Sequence, residues 1–258
     1  MKRVTAKKHL GQHFLKDISI AEKITESLPS HLSNILEVGP GMGVLTQFLI
    51  QREPVNLKVV ELDSESVSYL NQKYPSLRDR IIEDDFLTLN LKELYCSKFS
   101  LIGNFPYNIS SQIFFKVYYN RDLIDYVVGM LQKEVAERIS SKPGSKRYGI
   151  LSVLLQAFFD IEYLFTVEEN SFSPPPKVKS GVIRLKRNGE TALNCNEKLF
   201  ISVVKSSFNR RRKMLRNSLK PLVSDLKILD NSLFEKRPEQ LSVEQFVLVT
   251  NIVERQMC

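Results

Sequence analysis

The run Asn104-Phe105-Pro106-Tyr107 places an amide, a proline carbonyl and a phenol ring close together in the chain. The Asn104 side-chain oxygen and the Pro106 backbone oxygen are two acceptors that could take both hydrogens of one exocyclic amine. An amine conjugated to an aromatic ring, such as adenine N6, is a poor nucleophile because its lone pair is delocalised. Accepting both N–H groups would draw the nitrogen toward tetrahedral geometry and free the pair for in-line attack on an electrophilic methyl. Tyr107 would stack on the face of the base, and the fixed φ of Pro106 limits the positions open to its carbonyl. Positioning and electrostatics suffice for such chemistry, without a strong base or a metal. The competing reading is a plain strand-to-helix turn in which Asn104 caps the next helix.

A second cluster lies upstream. Glu37-Val38-Gly39-Pro40-Gly41-Met42-Gly43 follows an apolar run and leads toward a helix. Glycines there allow a sharp turn and close approach of a ligand, and a helix N-terminus adds free N–H groups. A dinucleotide fingerprint would need a sixth-position glycine at 44, which is Val44. Glu61 stands about twenty residues on, at a predicted strand end, where a carboxylate can accept both ribose hydroxyls. Asp84-Asp85-Phe86 ends the next strand, with an acceptor for an adenine amino hydrogen and an apolar wall. Each alone also suits a tight turn or a surface or capping acid. Together on consecutive strand ends they point to an adenosine-containing cofactor.

These residues need a frame that brings strand ends to one edge. From residue 34 the chain alternates β-branched runs with helical stretches: strands at 34–38, 57–62, 80–83, 101–103 and 126–131, and helices at 43–52, 64–74, 110–119 and 148–158. That alternation predicts right-handed βαβ units and a parallel sheet. Residues 161–167 and 178–186 could close it as an antiparallel pair, joined by Ser173–Lys177 with three consecutive prolines. Beyond Asn188 only helical spacing remains, in Phe200, Val203, Val204 and Phe208 and again in Leu215, Leu219 and Leu222. The expected organisation is an α/β domain over 1–187 and a small all-α C-terminal domain over 188–258.

The E-x-G-x-G-x-G run resembles the S-adenosylmethionine site of class I methyltransferases, and Asn104–Tyr107 resembles the N-x-P-Y element of N6-adenine methyltransferases, with Phe105 where Leu is common. Four further stretches narrow the family: Lys8 to Leu15 (KHLGQHFL), Gln132 to Ile139 (QKEVAERI), Phe172 to Val178 (FSPPPKV) and Phe208 to Asn217 (FNRRRKMLRN). In this order they resemble the bacterial small-subunit rRNA adenine dimethyltransferases over nearly the whole chain. The resemblance implies a Rossmann-like class I methyltransferase sheet of seven strands. It also implies two methyl transfers to N6 of each of two adjacent adenosines, in a hairpin loop near the 3′ end of small-subunit rRNA. It implies cofactor contacts at His13, Leu15, Gly39, Glu61, Asp85 and Asn104, and catalytic roles for Asn104, Pro106 and Tyr107. Relatives often carry Asn at the His13 position, a change that a backbone contact would survive. An aromatic at Phe172 could face Tyr107 across the target base, with ordinary core packing as the alternative. A large-subunit rRNA dimethyltransferase and an assembly factor with dispensable catalysis are the competing functions.

The 258 residues are 43% apolar and carry a net charge of +8. Divided at residues 16 and 176, the charge is +5, −6 and +9. Basic ends around an acidic middle suit a polyanionic partner. Arg210, Arg211, Arg212, Lys213, Arg216 and Lys220 are the densest cationic stretch. On a helix Arg212 and Arg216 would share a face, fitted to RNA phosphates. No apolar run is long enough for a membrane span. Cys96, Cys195 and Cys258 form no CxxC pair, which fits a reducing cytoplasm and no structural zinc. No second ligand at useful spacing makes His13 a metal site. The expected state is a cytoplasmic monomer acting on the immature small ribosomal subunit.

Overall fold

The structure is a computed structural model that describes residues 4–53 and 55–255. Cys258 and the basic residues Lys2 and Arg3 lie outside the described residues. Seven strands form the central sheet: β1 (Asn34–Val38), β2 (Asn56–Glu61), β3 (Ile81–Glu83), β4 (Phe99–Asn104), β5 (Ile124–Gln132), β6 (Phe159–Val167) and β7 (Ser180–Arg187). Their order is β3-β2-β1-β4-β5-β7-β6. The pairs from β3 through β5 are parallel, and β7 runs antiparallel to β5. Runs such as Ile35–Val38 are buried throughout, as expected for strands covered on both faces. Parallel register sets Val38 beside Val60, Glu61 beside Glu83 and Asn104 beside Met130, so the strands' C-terminal ends share one edge. The order reverses between β1 and β4, which opens a crevice where such sheets bind ligands.

Helix α1 (Ile18–Glu26) precedes the sheet, and α2 (Thr46–Leu49), α3 (Ser64–Lys73), α4 (Ser110–Tyr119) and α5 (Lys133–Ser140) lie between its strands in the chain. Asp17 caps α1 by accepting from the Ser19 and Ile20 amides, and Asp63 caps α3 through the Glu65 amide. The helix expected over 43–52 is shorter, because residues 41–45 form turns in which the Gly43 amide bonds to the Pro40 carbonyl. A short ladder pairs Phe14 with Ser173 and Leu15 with Phe172 in antiparallel register.

The chain divides into two compact units, residues 1–136 with 161–187 and residues 137–160 with 188–258. The second unit contains α6 (Ile150–Gln156), α7 (Glu197–Asn209), α8 (Leu215–Ser218) and α9 (Val243–Glu254). Residues 137–160 thus group with the helical part, although their place in the chain lies between strands. Within this unit the Tyr148 and Phe208 rings are 6.3 Å apart and the Gly144 amide bonds to the Glu239 carbonyl. Phe200, Val203, Val204, Leu215 and Leu219 are buried, as their helical spacing predicts, while Phe208 and Leu222 are half-buried; Phe246 and Val249 of α9 complete the buried set. No helix among the described residues is long and apolar enough to cross a membrane.

Candidate active site

At the switch edge of the sheet lies an open cleft, the place where such sheets bind their ligands. Gly39, Glu61, Asp85, Asn104, Pro106, Tyr107 and His13 all line it. Sequence positions from 13 to 107 are thereby gathered at one place. Three carboxylates, from Glu61, Asp84 and Asp85, line the cleft with no lysine or arginine among the lining residues. A neutral or cationic ligand suits that balance.

The glycine turn is shaped by what surrounds it. Gly41 has φ 55°, and a Cβ there would come within 2.8 Å of the Phe14 ring. A larger residue would therefore be strained and would displace Phe14. Glu61 is 6% exposed and accepts from the Gly41 amide at 3.0 Å and the Asp63 amide at 2.9 Å. Burial pushes its carboxyl above the usual value, against the backbone amides of Asp63, Gly41 and Leu62, which pull it down. Each oxygen keeps a free lone-pair direction, so the carboxylate can brace the loop and still receive hydroxyl donors. Asp85 Oδ1 accepts from the Leu87 amide at 2.8 Å, and Phe86, 3% exposed, forms the apolar wall.

Glu37 sits beneath the loop, 1% exposed, accepting from the Thr46 hydroxyl at 2.7 Å. Burial pushes its carboxyl up from 4.5 to about 8. Between those values the folded protein keeps a proton that the unfolded chain releases, so this group lowers stability as pH rises through that window. Glu37→Gln is expected to gain stability over wild type progressively from about pH 4.5 to about pH 8, and to hold the gain above it. Thermal unfolding of both proteins at stepped pH measures this; a difference independent of pH would contradict it.

Asn104 ends β4, and its Nδ2 donates to the His13 backbone carbonyl at 2.9 Å. A carbonyl can only accept, so this bond fixes the amide orientation and leaves Oδ1 as the acceptor. The Pro106 carbonyl accepts from the Ile109 amide at 3.2 Å and keeps a second lone pair. Phe105 is fully buried, its ring lying over Gly103 and Gly129, and it anchors the turn between its two acceptors. The Tyr107 hydroxyl bonds to the buried Ser180 hydroxyl, and burial raises the phenol above its ordinary value.

One expectation is corrected here. Phe172 does not line the cleft: it is 1% exposed and packs in the sheet core with Leu15 and Val167. Its backbone is held in the ladder with Leu15, so its ring points where apolar burial is greatest. The ring that faces Tyr107 is His13, 5.4 Å away and tilted by 33°. The Leu15 side chain is 3% exposed and lines a smaller cavity with Gly39, Gly41 and Asn104, while its neighbour Phe14 lines both that cavity and the main cleft.

The His13 ring bonds through Nδ1 to the Pro174 carbonyl at 2.9 Å. It joins the N-terminal segment to the Pro-rich loop, whose Ser173–Pro174 bond is cis. Sequence reading did not single out the other fastenings of this segment. Lys7 forms an ion pair with the buried Asp63 and lies 3.2 Å from Glu65, while Gln12 bonds to Asp63 at 3.5 Å. Burial pushes the Asp63 carboxyl up, but hydrogen bonds from Lys7, Ser66 and Gln12 outweigh it and hold the group below its ordinary value. Lys7 to Asp63 spans 56 positions, a separation at which no local pattern signals a pair.

In the helical unit the expected Arg212–Arg216 face is not formed. Helix α7 ends at Asn209, residues 210–213 turn with the Lys213 amide on the Arg210 carbonyl, and α8 starts at Leu215. A continuous helix would stack like charges three and four residues apart, which is unfavourable. The turn instead seats Leu215 and Leu219 in the core. Arg210, Arg212, Lys213 and Arg216 are exposed. Arg211 is drawn inward, its guanidinium on the Ser145 and Lys146 carbonyls. Among the described residues no group of three or more His, Cys, Asp or Glu is arranged to hold a metal ion.

A seven-stranded sheet in this order, with an antiparallel strand beside β5 and a glycine turn at the switch point, is the frame of the class I methyltransferases that use S-adenosylmethionine. A solved Plasmodium falciparum dimethyladenosine transferase superimposes with a TM-score of 0.76 at 26% identity, covering 94% of this chain and 98% of that one. The ribosomal RNA adenine dimethylase family model matches residues 3–255, and the chain belongs to that family. It is 60% identical to the ribosomal RNA small subunit methyltransferase A of Bacteroides thetaiotaomicron, over 98% of this chain and 96% of the relative. It is 58% identical to the protein of the same name from Flavobacterium johnsoniae, over 98% of each. S-adenosylmethionine is the cofactor, and the cleft fits it: a bare glycine turn, spare acceptor capacity on Glu61, an apolar wall at Phe86 and no competing cation.

Proposed function

We propose that this enzyme dimethylates N6 of two adjacent adenosines in a hairpin loop near the 3′ end of small-subunit rRNA, acting as a cytoplasmic monomer on the immature subunit. The observation that carries the reading is the Asn104 amide, whose nitrogen is committed to His13 and whose oxygen is left to accept. The small-subunit names of relatives at about 60% identity support this substrate over large-subunit RNA.

Glu61 takes the ribose hydroxyls of the cofactor, Asp85 the adenine amino group, and Gly39 lets the backbone approach. The methionine end lies under the segment around His13. When bound, S-adenosylmethionine supplies an electrophilic methyl on a sulfonium whose departing electron pair stays on sulfur. Asn104 Oδ1 and the Pro106 oxygen accept the two N6–H groups of the target. They draw its lone pair out of the ring, and the new N–C bond forms along that direction. Tyr107, steadied by Ser180, holds the face of the unpaired base, a contact worth about 1–3 kcal/mol. The proton released from N6 passes to water. A monomethylated N6 keeps one hydrogen for one acceptor, so the second transfer needs only rotation of the amine.

Purified immature small subunits and large-subunit rRNA, offered side by side with labelled cofactor, test the substrate. Label is expected in the small subunit; preference for large-subunit RNA would sink this reading.

The exposed cations give a second expectation. Removing one cation that neutralises a phosphate should reduce the slope of log affinity against log salt by about one. Arg212→Ala and Lys213→Ala are expected to flatten the slope for rRNA fragments. Arg211→Ala should act mainly on stability, because its guanidinium is spent on Ser145 and Lys146. Filter binding from about 50 to about 200 mM salt, over which log affinity falls linearly with log salt, reads this out. Equal slopes for Arg212→Ala and wild type would remove the turn from the RNA interface.

A further inference from the structure

Lys116 lies on α4, the helix that begins three residues after Tyr107. Its half-buried side chain turns the ammonium onto the backbone of the loop after β3. It donates to the Phe86 carbonyl at 2.6 Å, the Leu87 carbonyl at 3.0 Å and the Leu89 carbonyl at 2.5 Å. Three protons meet three acceptors, so the donor capacity of the group is used in full. The nitrogen also stands 5.1 Å from the centre of the Phe86 ring. Without the cation, three carbonyl dipoles would converge on one point and repel.

The loop gathered in this way is the one that carries Asp85. Its backbone oxygen accepts from the Thr88 and Leu89 amides at 3.0 Å each, and its side chain accepts from the Leu87 amide. Asp85 and Phe86 therefore belong to a tight turn whose outward-facing carbonyls are held by Lys116. We propose that Lys116 is a positioning residue for the adenine end of the cofactor, setting the Asp85 carboxylate and the Phe86 wall at the cleft edge. The inference rests on the reading that Asp85 meets the adenine amino group. The geometry adds a link between halves of the site: α4 carries the Asn104–Tyr107 turn at its front and holds the adenine loop at its side.

A mere structural staple would change stability and weaken all ligands alike. A positioning residue changes which base is preferred. Calorimetric titration of the full chain with S-adenosylhomocysteine and with its S-inosyl counterpart, in which a ring oxygen function replaces the amino group, separates the two. Wild type is expected to prefer the adenosyl compound by about tenfold or more, the scale of one charge-assisted hydrogen bond. Lys116→Met keeps the aliphatic stem and removes the charge. Its dissociation constant for the adenosyl compound is expected to rise about tenfold, with less than about twofold change for the inosyl compound, so the preference collapses. Lys116→Arg keeps a cation in a different donor geometry and is expected to show a partial loss of preference at a wild-type melting temperature. It also serves if the methionine variant folds poorly. Equal weakening of both ligands, or an unchanged preference in both variants, would overturn the proposal. Wild type binding both compounds equally would overturn it at its base, by removing Asp85 from the amino group. Wild type binding neither would count instead against the cofactor reading.

Discussion

Replacing Asn104 with alanine is expected to slow methyl transfer by about 10²–10³-fold at saturating cofactor, the cost of removing one preorganised polar group from a reacting centre. Two losses combine in that variant. Oδ1 no longer accepts an N6–H of the target, so the lone pair stays conjugated with the ring. Nδ2 no longer holds the His13 carbonyl, so the N-terminal segment loses one of its fastenings to β4. Asn104→Asp separates the two. It keeps the acceptor but sets a carboxylate against the His13 carbonyl, so it should retain more of kcat while the KM for cofactor rises. Single-turnover assays on immature small subunits give the rate, and sedimentation with those subunits gives binding. The exposed cations at 210–216 remain in both variants, so binding is expected to survive. A protein that binds without transferring methyl would reveal an assembly role separable from catalysis, whereas failure to bind would argue against one. An alanine variant within about threefold of the wild-type rate would contradict the assignment of Asn104 as a transition-state acceptor.

Phe172→Ala is expected to act on stability, by about 3–5 kcal/mol, as for other large aromatics removed from a packed core. The ring is 1% exposed and belongs to one core cluster with Leu15, Val167 and Val182. The same residue carries the backbone ladder that holds the segment after His13. Phe172→Leu, which keeps most of the volume, should cost less than about 1.5 kcal/mol. Denaturant midpoints for the three proteins measure this directly. Unchanged midpoints with a large fall in kcat would restore Phe172 as a stacking partner of the target base.

The difference between Asn104 and Phe172 shows what the sequence could carry. Asn104, Pro106 and Tyr107 are neighbours on a strand-to-helix turn, so their chemistry could be read from one short segment. The same holds for the glycine loop and for Glu61 and Asp85, because consecutive parallel strands must end on the same edge. Phe172 lies in a two-residue strand, and whether its ring faces core or cleft depends on a partner 157 positions away, Leu15. The break between α7 and α8 escaped for a similar reason. Helical spacing continues through Leu215 and Leu219, and only the seating of those residues turns the chain at Arg210. Residues 137–160 group with the helical unit through Phe208 and Glu239, which no local periodicity foreshadows. Lys116 did leave a signal, as a lone cation beside Phe114 and Val117 on a helix with a buried apolar face. Its partners nonetheless lie 27 to 30 positions away.

The central claim is that the acceptors on Asn104 and Pro106 direct methyl groups to N6 of adenosine, twice on each target. Mass spectrometry of RNA fragments after incubation of the protein with immature small subunits and isotope-labelled S-adenosylmethionine tests it most directly. The account predicts N6,N6-dimethyladenosine at two adjacent positions of the hairpin near the 3′ end, with monomethyl species as transient precursors and far slower labelling with Asn104→Ala. Label confined to another base, or an end point of single methyl groups, would contradict it.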